Sequence, residues 1–112
     1  MKIRNKDSPI IYICSPYSGN VQHNIEMACR YSRFAVDEGY VPITPHLWLP
    51  LFLSEETERD LAISIDLRLM DVCSELWVCG DLISDGMRRE MAYAADLGIP
   101  TQHVKEEDLC TQ

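Results

Sequence analysis

Apolar residues in this chain follow two rhythms, short continuous runs and a spacing of three to four, and the two alternate from one end to the other. Residues 9–14 (PIIYIC) are a nearly unbroken apolar run rich in β-branched side chains, as in a strand buried on both faces. Turn chemistry follows in Ser15, Pro16, Tyr17, Ser18 and Gly19. From Asn20 the spacing becomes helical, through Ile25, Ala28, Cys29, Ser32, Ala35 and Val36, and Gly39 supplies the stop. Residues 40–44 predict a second short strand, near a sheet edge because Pro42 cannot donate to a ladder. Ser54 is placed to cap a second helix over residues 55–73, with Glu55, Glu56 and Glu58 in its first turns, where the dipole favours acids. A third strand over 75–79 leads through a loop to a third helix over 84–94, stopped by Gly98; residues 100–104 form the last strand, and the tail 105–112 reads as polar and loosely held.

Alternating strands and helices over a length of one domain imply a three-layer α/β fold, flavodoxin- or Rossmann-like, with a parallel sheet in the order 2-1-3-4. Such sheets bind ligands at the carboxyl ends of their strands, beside the switch point between strands one and three. The loops at that end are 15–19, 45–53 and 80–86. They bring Ser15, Pro16, Tyr17, Ser18, Gly19, Asn20 and His46, and then Ser84, Asp85, Gly86 and Met87, to the expected substrate side. Trp48, Leu49, Leu51 and Phe52 make the second loop too apolar for a surface connection, so a neighbouring subunit is expected to cover it.

Two carboxylates break the helical pattern. Glu90 has Gly86 and Met87 one turn behind and Tyr93 and Ala94 one turn ahead, an uncharged face, while Arg88 and Arg89 point elsewhere. Asp66 has Ala62 and Ile63 on one side and Leu69 and Met70 on the other, away from the polar stripe of Asp60, Ser64, Arg68 and Asp71. An acid on a face built to pack is more often functional than accidental. The alternatives are ordinary: Glu90 as a solvated helix residue, Asp66 as a buried acid paired with Arg68, Tyr17 and Ser18 as turn residues, Asn20 as a helix cap.

Composition narrows the partners. A net charge of −8 with ten Lys and Arg in 112 residues argues against a nucleic-acid backbone. No apolar run approaches the ~20 residues of a membrane span, and the opening MKIRNKDSP lacks the core of a signal peptide, so a cytoplasmic protein is expected. Five cysteines without C-x-x-C spacing read as reduced, mostly buried hydrophobes, and three histidines in unrelated segments predict no metal site. The G-x-G-x-x-G and P-loop signatures are absent, and with them the usual signs of hydride transfer and NTP hydrolysis. No cofactor is expected.

Three stretches resemble the nucleoside 2-deoxyribosyltransferase superfamily, in the manner of its small uncharacterised (DUF4406-like) members: IYICSPYSG, DLRLMDVCSELWVCG and SDGMRREMAYA, within residues 10–104. The resemblance implies Glu90 as nucleophile, Asp66 as the acid addressing the base and Tyr12 as the tyrosine beside the catalytic acid. Asp85 is the candidate for the family's sugar-binding acid. Unlike the family pattern, Arg88 and Arg89 stand between the Gly-Met pair and the glutamate. On this reading Tyr12 orients Glu90, and Met87 and Tyr93 shield it from water. The implied function is cleavage or transfer at the N-glycosidic bond of a nucleoside or nucleotide, by a deoxyribosyltransferase or an N-glycosidase. A nucleotide-binding module that senses its ligand without chemistry is the alternative.

Overall fold

A computed structural model of the protein describes residues 7–109. Its centre is a four-stranded parallel sheet, β1 (Ile10–Cys14), β2 (Val41–Ile43), β3 (Glu75–Cys79) and β4 (Thr101–Val104), in the order β2-β1-β3-β4. The predicted α/β fold and strand order are therefore those observed. β2 lies at an edge, where Pro42 removes no inner ladder bond. Successive side chains of β1 point to opposite faces and meet different helices. Ile11 and Ile13 join Tyr31 and Ala35 of α1 (Val21–Asp37), with Trp77, Cys79 and Val104 from the neighbouring strands. Tyr12 and Cys14 join Met70 of α2 (Arg59–Met70) and Met87 and Ala94 of α3 (Asp85–Leu97) on the other face. Covering both faces in this way is what demands the near-continuous apolar strands.

The helix ends follow local chemistry. Asn20 caps α1, its side-chain oxygen accepting from the His23 amide at 3.2 Å. Ser84 caps α3 by accepting from the Met87 amide, and Gly98, at φ +75°, ends it in the left-handed conformation that glycine adopts most easily. α2 departs from expectation, for it begins at Arg59 and not beside Ser54. The Ser54 hydroxyl accepts from the Thr57 amide at 3.3 Å, and Glu58 turns its carboxylate back to the Ser54 amide at 2.9 Å. These reciprocal bonds close a separate turn over 54–58, and the helix starts after it. At the other end, the amides of Asp71, Val72 and Cys73 reach back only three residues, a tightening that ends the helix before Cys73.

Two further segments differ from the sequence reading. Residues 45–53 contain two 3-10 turns, Pro45–Leu47 and Leu49–Leu51, which turn Leu49 inward; Leu51 and Phe52 stay 82% and 63% exposed and Trp48 is half-exposed. The part of the tail that is described, residues 105–109, is anchored, where a loosely held segment was expected over 105–112; residues 110–112 lie outside the described residues. A short helix, α4 (Glu106–Leu109), begins where the Lys105 amide donates to Asp108 at 2.8 Å, and it buries Leu109 against the α1 face of the sheet. One helical turn is enough to carry an apolar residue back to the core, which a composition-based reading of a polar tail overlooks.

Cys14, Cys73 and Cys79 are buried thiols, and Cys29 is exposed; Cys110 lies outside the described residues. Among the described residues no helix is long and apolar enough to cross a membrane. The anchored tail yields a measurable expectation. Leu109→Ala should lower stability by about 2–3 kcal/mol, the usual cost of a buried Leu truncation, read as a lower urea midpoint. Glu107→Ala, on the exposed side of the same turn, should leave the midpoint nearly unchanged.

Candidate active site

Both α2 and α3 run back from the carboxyl end of the sheet, and each turns its anomalous acid inward. Asp66 is 6% exposed and Glu90 4%, and between them rises Tyr12 of β1, on the sheet face these helices cover. The Tyr12 hydroxyl donates a short hydrogen bond to Oε2 of Glu90. Asp66 does not pair with Arg68, which instead bonds Asp71 at 3.1 Å on the outer surface. Its Oδ1 is buried without a partner. Arg88 and Arg89 are exposed, and their presence leaves Glu90 facing inward, because Gly86 and Met87 at four and three positions back define its face.

A cavity of about 60 Å³ opens over this pair. Of the residues expected on the substrate side, Tyr17, Ser18, His46, Ser84, Gly86 and Met87 line it together with Asp66 and Glu90. Tyr12 sits behind Glu90. Ser15 and Pro16 face a different cavity, on the α1 side of the sheet. Gly19, Asn20 and Asp85 line neither: Gly19 turns the chain at φ +96°, Asn20 is occupied in capping α1, and Asp85 is exposed at the start of α3. Tyr93 also lies outside the cavity lining. Its hydroxyl donates to Asp71 at 2.7 Å and ties α3 to the end of α2, so it does not shield Glu90.

His46 belongs to the second loop but is held by the first. Its Nε2 is 2.9 Å from the Ser15 carbonyl oxygen, and its ring lies 5.3 Å from that of Tyr17. Asn24 of α1 pins the same loop by donating to the carbonyls of Tyr17 and Ser18, both at 3.0 Å. Sequence reasoning missed Asn24, and also Arg59, which lines the cavity mouth. The signal for Arg59 was present: it precedes Asp66 by seven residues, two helical turns on the same face. Leu49 was assigned to an outer patch, yet it forms part of the cavity wall.

Electrostatics separate the two acids. Burial raises Asp66 to about 8, and both the charge of Glu90 and a hydrogen bond to it push the same way, with only Tyr12 opposing. Burial also raises Glu90, but there the Tyr12 hydroxyl, the charge of His46, Cys14 and Asp66 all favour the ionised form. More groups therefore support the charge on Glu90 than on Asp66, which favours Asp66 as the holder of a proton shared by the pair. Tyr12 is raised well above its ordinary value, by burial first and then by Glu90, and stays a donor. Two acids in unlike surroundings and one fixed hydroxyl thus meet at one cavity. Such a set can donate a proton at one point and stabilise positive charge at another. Among the described residues, no group of three or more His, Cys, Asp or Glu side chains is arranged to hold a metal ion.

A family model described as a domain of unknown function (DUF7768) matches residues 9–104. The chain belongs to that family. No curated protein matches this DUF7768 chain. Among solved structures it is similar to a 2-deoxyribosyltransferase from the psychrotolerant bacterium Bacillus psychrosaccharolyticus, with a TM-score of 0.66 and 23% identity, covering 86% of this chain and 72% of that one. It is also similar to a 2-deoxyribosyltransferase from Leishmania mexicana, with a TM-score of 0.60 and 18% identity, over 87% of this chain and 64% of the other. The DUF7768 chain thus has a nucleoside 2-deoxyribosyltransferase-like fold, as the three sequence stretches implied.

The acid pair generates a prediction independent of any substrate. A carboxyl raised in the folded state holds its proton where the unfolded chain has lost it. Its stabilising contribution is complete below the ordinary aspartate value of 3.8 and is lost as pH rises toward about 8. Asp66→Asn removes that titration. Thermal unfolding across this range should show native Tm falling with pH more steeply than that of the Asn variant; parallel curves would mean that Asp66 is already ionised.

Proposed function

We propose that the chain is a single nucleoside 2-deoxyribosyltransferase-like domain that cleaves or transfers at the N-glycosidic bond of a nucleoside or nucleotide. The observation carrying this reading is the pair of buried acids, Asp66 and Glu90, with Tyr12 bonded to Glu90, opening on one cavity of this fold; their unlike surroundings favour the proton on Asp66 and the charge on Glu90. Breaking an N-glycosidic bond builds positive charge on the anomeric carbon of the sugar. Glu90 stabilises that charge or captures it as an ester, while Asp66 gives its proton to the leaving base. Tyr12 holds the carboxylate in place, and Met87, 1% exposed beneath it, keeps water from its inner side. The unpartnered Oδ1 of Asp66 supports a role for this acid towards a ligand.

A panel of nucleosides and 5'-nucleotides screened by thermal shift should find a ligand, which at 100 times its Kd stabilises by ~2.7 kcal/mol. With that ligand, free base should accumulate on prolonged incubation. Glu90→Ala is expected to lose at least ~100-fold in rate, about 2.7 kcal/mol of barrier, with binding largely retained. Asp66→Asn should abolish turnover and keep the fold. A 2-fluoro nucleoside analogue should leave a sugar adduct on the peptide containing Glu90, detected by intact mass and peptide mapping. Binding without release of base by the native protein would instead identify a sensing module. Native-rate turnover by Glu90→Ala would remove this residue from the chemistry.

The same reading includes a homo-oligomer in a reducing, cytoplasmic setting, where the unpaired thiols would persist. A cavity of about 60 Å³ is small beside the ~300–1,000 Å³ of typical small-molecule sites, so one chain encloses only part of a nucleoside. Trp48, Leu51 and Phe52 stand exposed on the loop that also supplies Leu49 and His46 to the cavity wall. A second subunit closing over this loop would cover the patch and extend the wall. Sedimentation at micromolar concentration should show a dimer or larger assembly, dissociated by combined Trp48→Ser and Phe52→Ser; a clean native monomer would count against this assembly.

A further inference from the structure

The second cavity, about 190 Å³, lies across the sheet from Glu90, between α1 and the loop after β3. Alternation along the first strand explains how one loop serves both sides. Cys14 points toward α3 and, one residue later, Ser15 points toward α1. Ser15 is 2% exposed, and its hydroxyl is buried with no hydrogen-bond partner. A buried hydroxyl left unsatisfied costs stability, so its retention against a cavity calls for an explanation outside the fold itself.

The rest of the lining limits what could meet that hydroxyl. At Gly80 the chain turns with φ +93°, and a Cβ built there would lie 3.5 Å from the Tyr31 hydroxyl, so these two groups share a wall. Asp81 and Glu106 bring carboxylates to the rim, Met27 and Leu82 bring apolar surface, and His23 is the only basic side chain. Burial pushes Tyr31 up to about 12, with Cys79, Glu106 and Asp81 adding to the effect and Arg30 opposing it, so the acids at the rim outweigh the nearby cation. An anion is disfavoured there. The volume holds several waters and is far larger than an ammonium group requires. Hydroxyl donors suit acceptor carboxylates, and a CH face suits Met27 and Leu82.

We infer that this cavity is a second ligand site, for a small neutral polyol of pentose size, with Ser15 and the Asp81 carboxylate as its hydrogen-bonding anchors. The site is separate from the acid pair and does not depend on the chemistry proposed there. The test is a titration of the full, isotope-labelled chain with D-ribose as polyol probe, followed by amide shifts, with inorganic phosphate and ethylammonium as controls. Ribose should move the amides of Ser15, Asn24, Gly80 and Asp81 and leave those of Ala62 and Ile63 in place. Ser15→Ala should weaken this binding about fivefold, the worth of one hydrogen bond, without lowering the Tm of the free protein. Asp81→Asn, on an exposed loop where folding is not at risk, should weaken it about tenfold. Ribose shifts confined to Ala62 and Ile63, no shifts with ribose at all, or shifts at Ser15 and Gly80 produced by phosphate or ethylammonium in its place would each overturn the assignment.

Discussion

Two carboxyl groups buried side by side cannot both be charged without a partner, and the organisation of this protein around Asp66 and Glu90 follows from that constraint. The fold resolves it unequally. Tyr12, Cys14 and the charge of His46 favour the ionised form of Glu90, whereas for Asp66 only Tyr12 opposes the effects of burial and of its neighbour. The groups that make this division come from β1, from the loop after β2 and from α3, so the asymmetry depends on the sheet order that brings them together. Substituting any one of them would redistribute the shared proton as well as remove a contact.

The first loop shows how a parallel sheet divides labour at its carboxyl end. Its early residues, Ser15 and Pro16, continue the strand and fall on the α1 side; Tyr17 and Ser18 have crossed to the side of α2 and α3. Asn24 holds the crossing from below, through the Tyr17 and Ser18 carbonyls, and His46 fastens it from the side through the Ser15 carbonyl. Backbone groups are thereby satisfied by the framework, which frees the loop's side chains for the two cavities. A displacement of this loop would be felt on both faces of the sheet at once.

Much of the architecture and the central residues are legible in the sequence, because the signals are local. Continuous apolar strands, a helix cap at Asn20, a helix entered at Ser84 and the stop at Gly98 each depend on a few neighbouring residues, and each is found in place. The same holds for Asp66 and Glu90, whose inward orientation follows from helical spacing alone. Where reading failed, an unforeseen turn or short helix had decided the outcome. Ser54 looked like a helix cap until Glu58 turned back to close its turn, Leu109 looked like part of a polar tail until α4 carried it to the core, and Leu49 looked like its exposed neighbours until a 3-10 turn rotated it inward.

Periodicity states which residues share a face and where strand gives way to helix, so the α/β layering and the two acids turned toward the core follow from the chain's own pattern, and the alternation of elements with the crossover rule points to the strand order. It cannot state how far apart two faces lie once the helices pack. The pairing of Asp66 with Glu90, the bond from Tyr12, the reach of His46 to the first loop and the division of residues 15–18 between two cavities were decided only by tertiary structure. The physical reason is that proton affinity and cavity shape depend on distance and burial, which arise when segments remote in sequence are brought together by the sheet.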